Sequence, residues 1–187
     1  MAQTKILLDS NSYFRLAKSI HPLLFQEFGD SYYCLYVLEE LEREYARNPR
    51  LQNKFAWVNE TEYRENRARR LALSRQQKKE LPTVYDFLWN HAQTELPGPS
   101  KIDVTVLSYG YVLDIPVVTD DADMIALAKA FGIRVTKTLE LLKLMMNSDH
   151  IDIAAVRRVA AYWSYEDDRP KDYHADYRRL FGEEPPP

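Results

Sequence analysis

The chain has 187 residues, 25 of them Lys or Arg and 28 Asp or Glu, for a formal net charge of -3. That length supports one core of ordinary size, and 45% hydrophobic and 28% charged residues with only 5 Gly and 10 Pro exclude collagen-like, low-complexity and tail-like chains. The single cysteine, Cys34, excludes an intrachain disulfide or a Cys-rich metal knuckle and fits a reducing cytoplasm, and no stretch reads as a signal peptide or membrane span.

Lys5 to Leu8 is a short apolar run of strand length. The segment that follows carries Phe14, Ala17, Ile20 and Leu24 at helical spacing, with Pro22 as a kink and Gly29 as its stop. Tyr32 to Tyr36 is aromatic enough for a second strand and runs into a helix with Leu38, Leu41 and Tyr45 as its buried stripe, closed before Pro49. Leu51 to Glu80 has no Gly or Pro and predicts one long, largely solvated helix, ended by Leu81-Pro82. After a loop over HAQTELPGPS, Ser100 or Lys101 precedes a helix that runs through Ile102 to Asp114. IPVVTD is a strand, Ala122 to Phe131 a helix stopped by Gly132, IRVTK a last parallel strand, and TLELLKLMM a helix that Thr138 can cap. A further helix places Ile153, Val156, Ala160 and Trp163 on one side, and residues 166–187 read as a partly ordered tail. The alternation of strand and helix predicts a three-layer α/β/α sandwich on a central, mainly parallel sheet. The expected organisation is a single domain over 1–187, with a core at about 5–145, a basic helical arm at about 51–80 and a C-terminal helix and tail at about 150–187.

Charge is unevenly placed. Arg64, Arg67, Arg69, Arg70, Arg75, Lys78 and Lys79 face one acid, Glu65, in a sixteen-residue stretch, whereas fifteen acids outnumber eleven bases from Lys101 onward. The basic arm is a candidate surface for a polyanion, and Tyr13, Tyr32, Tyr33, Trp57, Tyr63 and Trp89 are candidate base-stacking residues. Each of these residues also has an ordinary structural reading, as a solvated helix face or as core.

Ligands of open α/β sheets bind beyond the carboxyl ends of the strands. Asp9 follows the first strand there, and Thr119, Asp120, Asp121 and Asp123 follow IPVV; Glu39, Glu40 and Asp103 begin helices that open onto the same edge. Helix capping explains any one acid, but not two strands that both end in carboxylates. Converging carboxylates repel unless cations compensate. Oxygen donors suit Mg²⁺ or Mn²⁺, and four carboxylates match two divalent ions set roughly 3.5–4 Å apart in a phosphodiesterase site. Zinc is a poor match, because His21, His91, His150 and His174 lack ligand spacing.

The succession LLDSNS, LEEL and IDVTVLSYGYVLDIPVVTDDADM is similar to the PIN-domain nucleases, over roughly Lys5 to Lys143. The resemblance implies a PIN-like sandwich in which Asp9, Glu40 (the Glu before Leu41), Asp103, Asp121 and Asp123 are catalytic and hold Mg²⁺ or Mn²⁺. Ser10, Asn11 and Thr119 would orient those carboxylates. Asp120 departs from the family pattern and reads as a solvated neighbour. The implied activity is metal-dependent endonucleolytic hydrolysis of RNA, single-stranded or structured, with Arg64, Arg67, Arg69, Arg70, Arg75, Lys78 and Lys79 binding the nucleic acid. The further implications are a VapC-like toxin or phage-defence role, an antitoxin protein as partner, and a homodimer through the apolar helix from Leu141 to Met146. The alternatives are a catalytically inactive nucleic-acid or protein-binding module on the same fold, and a receiver- or phosphatase-like domain; Asp9-Ser10-Asn11 lacks the second aspartate that a phosphatase of that type uses.

Overall fold

The computed structural model describes residues 3–187. Four parallel strands, β1 (Thr4–Leu8), β2 (Tyr33–Tyr36), β3 (Val117–Val118) and β4 (Val135–Thr136), form one sheet in the order β2-β1-β3-β4. Alternate residues enter opposite cores, as the two-residue period of a strand requires. Ile6, Leu8, Leu35 and Val118 point into one, and Leu7, Cys34, Tyr36 and Val117 into the other.

The first core is closed by α1 (Ser10–Ala17), α2 (Glu40–Arg47), α3 (Pro49–Lys54), a 3₁₀ turn at Ala56–Asn59, α4 (Thr61–Arg67), α8 (Thr138–Asn147), α9 (Ile153–Tyr165) and α10 (Tyr173–Phe181). The second is closed by α5 (Arg75–Thr94), α6 (Lys101–Leu113) and α7 (Ala122–Ala130). The chain is therefore an α/β protein of three layers around an all-parallel sheet. It winds from β1 to β2 in one direction and then crosses to β3 and β4 in the other, so the switch point lies between β1 and β3.

Four expectations are corrected. The helix after β1 ends at Ala17, because a helix continued to Pro22 would lose an N–H and drive the ring into the Lys18 carbonyl; Ile20, Leu23 and Leu24 reach the core from an irregular segment instead. The long helix from Leu51 to Glu80 is broken into α3, the 3₁₀ turn, α4, an extended stretch and the start of α5. Phe55, Trp57, Val58, Tyr63 and Arg67 are all buried, and no single face of a straight helix holds that set, so packing overrides propensity. Pro82 lies inside α5, which a capping box between Ser74 and Gln77 starts at Arg75. Within the segment expected to be a partly ordered tail, α10 buries Tyr173 against Trp163 and Tyr177 against Tyr173. With α9 and α10 in place, Leu141, Leu142 and Met145 of α8 are fully buried within their own chain, so the stripe expected to pair two copies is spent on the core. Among the described residues no helix is long and apolar enough to cross a membrane.

Candidate functional site

Asp9 continues β1 by donating its backbone N–H to Val118 (3.0 Å) and then caps α1. The residue is 4% exposed. One carboxylate oxygen accepts the Ser12 N–H at 2.6 Å and the other the Thr119 hydroxyl at 2.6 Å. Burial is the largest influence on this group and raises its pKa to about 6; the hydrogen bonds oppose that rise and the charge of Asp120 adds to it. Thr119, fully buried at the end of β3, ties the two strands together, and its oxygen also accepts the Asp121 N–H at 3.1 Å. Asp121 in turn caps α7 through the Met124 N–H at 2.8 Å.

The start of α6 opens onto the same edge. Ser100 and Asp103 form a reciprocal capping box that engages one oxygen of Asp103. Burial raises the pKa of Asp103, and the charges of Asp121 and Asp123 raise it further. Those three carboxylates therefore share one electrostatic neighbourhood, and no Lys, Arg or His among the described residues forms an ion pair with any of them. The preceding loop fits closely over Asp123: a Cβ on Gly98 would lie 2.3 Å from its carboxyl carbon. Glu40 is the more sheltered of the adjacent pair. Its side chain is 23% exposed against 50% for Glu39, it sits 3.6 Å from Arg43, and its charge reaches Tyr109 of α6.

The edge thus carries Asp9 at the switch point with Asp103, Asp121 and Asp123 beside it, whereas Glu40 is tied to Arg43 and Tyr109 and is not brought among them. The oxygen-only donor set and the unpaired carboxylates of Asp103, Asp121 and Asp123 suit a hard divalent cation. Among the described residues, however, no three His, Cys, Asp or Glu side chains are gathered closely enough to hold an ion as they stand.

Of the expected orienting residues, Thr119 contacts Asp9 directly. The Ser10 and Asn11 side chains make no hydrogen bond among the described residues, and that position is taken by Ser12, whose hydroxyl meets the Val118 carbonyl (3.2 Å) and the Thr138 hydroxyl (3.1 Å).

Asp120 is corrected from a solvated neighbour to a buried tie. Its side chain is 6% exposed and pairs with Arg15 at 2.8 Å, while it also accepts the Thr138 N–H at 3.1 Å. Arg15 reaches on to the carbonyl and carboxylate of Asp168, both at 3.2 Å, and its own carbonyl accepts the Trp163 indole N–H at 2.8 Å. Lys137, just past β4, pairs with Asp176 of α10 at 2.9 Å. The C-terminal segment is fastened beside the acidic edge by these two cations, which no local sequence signal reveals.

The basic arm does not form one surface. Arg67 is 2% exposed and bonds inward to Glu42 (3.1 Å), the Tyr13 hydroxyl (2.9 Å) and the Val58 carbonyl (2.8 Å). Arg64, Arg69 and Arg70 are exposed around the end of α4, with Arg69 over the Phe25 ring. Arg75, Lys78 and Lys79 lie at the start of α5. Thr83, Val84 and Phe87 of α5 sit against Tyr111 near the end of α6, whereas Trp89 meets Lys101 at its beginning. The two helices are therefore antiparallel, and Lys78 and Lys79 project about 20 Å along the helix axis from Asp103 at 1.5 Å per residue.

No protein-family profile matches the chain, and no curated protein matches it. Among solved structures, the crystal structure of FitAcB from Neisseria gonorrhoeae is similar over 72% of this chain and 98% of that one, at 16% sequence identity and a TM-score of 0.47. A likeness at that level bears no functional weight. What the fold and the edge define is an α/β protein with an acidic switch point.

Proposed function

We propose that the protein is a PIN-like, metal-dependent phosphodiesterase that cleaves RNA. The observation that carries this reading is the carboxylate set at the switch point. Asp9 and Thr119 are joined across neighbouring parallel strands, with Asp103, Asp121 and Asp123 beside them and none of these three in an ion pair among the described residues. Asp9, Glu40, Asp103, Asp121 and Asp123 would hold Mg²⁺ or Mn²⁺. Such ions activate water as a nucleophile at neutral pH and stabilise the leaving oxygen.

The chain's own residues set the stage for that chemistry. The Thr119 hydroxyl fixes one oxygen of Asp9, and the Ser12 N–H fixes the other. Helix caps fix one oxygen each of Asp103 and Asp121 and leave the second free. Asp120, neutralised by Arg15, keeps the turn that carries Thr119 and Asp121 in place.

The toxin or phage-defence role, with an antitoxin protein as partner, is a finer proposal that rests on the resemblance of LLDSNS, LEEL and IDVTVLSYGYVLDIPVVTDDADM to the PIN-domain nucleases. A catalytically inactive module on the same fold is the second reading. Two observations favour it: both oxygens of Asp9 are engaged within the chain, and no three acids are gathered at ligand distance among the described residues.

End-labelled RNA and single-stranded DNA panels incubated with Mg²⁺, Mn²⁺ or EDTA separate the readings. A nuclease gives metal-dependent products that Asp9→Asn and Asp103→Asn abolish. Absence of cleavage with every metal and substrate, by a protein that still binds RNA, selects the inactive module.

A further inference from the structure

Of the six aromatic residues that could meet a base, Tyr13, Trp57 and Tyr63 are core. Trp57 and Trp163 also donate their indole N–H groups, to the Tyr162 hydroxyl and the Arg15 carbonyl. Trp89 differs from both. It is half-buried against the second core, as Tyr85 is, and its indole N–H makes no hydrogen bond within the chain among the described residues. One helical turn earlier on the same flank of α5, Tyr85 is also half-buried and its hydroxyl unpartnered. The two rings lie parallel, 12° apart in plane with centroids 6.4 Å apart. Phe87 and His91, on the other flank, meet Phe131 of α7 edge to face, and Phe87 stays 66% exposed but has no cation over its ring among the described residues.

Lys101 adds charge to this pair. Its ammonium lies over the Trp89 ring, 5.7 Å from the ring centre, so a base that stacks on this face displaces it toward the phosphate. Among the described residues it has no carboxylate within salt-bridge distance, unlike Arg15, Arg67 and Lys137, which are all committed to acids. Lys101 is also the first residue of α6, two positions ahead of Asp103. An unpaired cation beside two parallel half-open rings, at the mouth of an acidic edge, has the complementarity of a nucleotide strand: a phosphate for the ammonium and π-faces for the rings.

We propose that Tyr85, Trp89 and Lys101 form a stacking strip for single-stranded nucleic acid, which leads the strand to the carboxylates around Asp103. The strip's use as a substrate guide rests on the phosphodiesterase reading, whereas its affinity for the strand does not. A duplex, whose bases are already stacked on one another, cannot use the rings in this way. The binding surface thus falls at the end of α5 beside the acidic edge, away from Lys78 and Lys79.

Fluorescein-labelled single-stranded RNA, single-stranded DNA and duplex of equal length are titrated by anisotropy with the full chain in EDTA, so that neither metal nor cleavage enters. Tryptophan emission is followed in parallel. The expected result is single-strand binding with quenched emission. Trp89→Leu, which keeps the packing but not the π-face, weakens it about 5- to 100-fold and removes the quenching, whereas Trp89→Phe keeps most of the affinity. Lys101→Gln lowers the slope of log affinity against log salt by about 0.7. The RNA and DNA arms show whether the sugar is read. Equal affinity of Trp89→Leu and wild type, preference for the duplex, or no single-strand binding at low salt overturns the proposal. Strong single-strand binding without cleavage in Mg²⁺ or Mn²⁺ supports the strip and removes the nuclease reading instead.

Discussion

Replacing Asp9 by Asn should make the metal-free protein more stable, against the usual expectation for a buried polar residue. Burial holds the Asp9 carboxyl at a pKa of about 6 in place of 3.8. The folded chain therefore retains a proton that the unfolded chain gives up, and stability falls as pH rises through that window. The cost is absent below both values, grows between about pH 4 and 6, and is complete above. At about 1.36 kcal/mol per pKa unit it amounts to roughly 3 kcal/mol at pH 8. The environment can accept the amide. The Asn oxygen takes the Ser12 N–H, its amide donates to Thr119, and the Thr119 hydroxyl turns to the Met124 sulfur, 3.4 Å away. In EDTA at pH 8, Asp9→Asn should raise stability by up to about 3 kcal/mol, or roughly 6–12 °C in Tm for a domain of this size. At pH 4 the gain should shrink to under about 1 kcal/mol. Urea and thermal denaturation at both pH values measure it. An Asn variant less stable than wild type at pH 8 would refute the reasoning, because the hydrogen bonds to the charged carboxylate would then outweigh its desolvation.

Other consequences are equally direct. Mn²⁺ at a hundred times its Kd should stabilise the wild type by about 2.7 kcal/mol, an increment absent from Asp103→Asn in differential scanning calorimetry. Because Asp9 must lose its proton to act as a ligand, Mn²⁺ affinity measured by titration calorimetry should fall as pH drops below about 6, the raised pKa of that group. Arg15→Met strands Asp120 without its partner and should cost about 3–5 kcal/mol in urea denaturation, whereas Asp168→Asn, at the more exposed end of the tie, should cost about 1 kcal/mol or less. Arg67→Met, which leaves the buried Tyr13 hydroxyl unpartnered, should cost about 2–4 kcal/mol. The nearby exposed Arg64→Gln should stay within about 0.5 kcal/mol.

The strands and the edge were legible because their causes are local. An apolar run of strand length followed by Asp9, and another followed by Thr119, place both residues beyond the sheet whatever the rest of the chain does. Glu40, Asp103 and Asp121 were legible as helix starts for the same reason. The region between Leu51 and Glu80 was not, since its composition favours helix while Phe55, Trp57, Val58 and Tyr63 gain more by turning inward in short pieces. The Ser74–Gln77 capping box stood in the sequence but competed with Pro82, whose conspicuous residue type marks an end that α5 passes through. Arg67 looked like one member of a charged face, and its burial follows from the partners Glu42, Tyr13 and Val58. Asp120 presents the same difficulty at longer range, for Arg15 lies 105 positions away and Asp168 a further 48 beyond Asp120. Ion pairs between distant segments leave no periodicity to read. Helix α10 was missed because Tyr173 and Tyr177 lie among polar residues, where two tyrosines one turn apart are a weak sign of burial.

The acidic edge is tested most directly by counting Mn²⁺ bound to the purified chain at pH 8, by electron paramagnetic resonance of free Mn²⁺, for wild type, Asp9→Asn and Asp103→Asn. A cation site at the switch point predicts saturable binding by the wild type and its loss in both variants, each still folded by circular dichroism. Failure of the wild type to bind at millimolar Mn²⁺, or binding unchanged by either substitution, contradicts it.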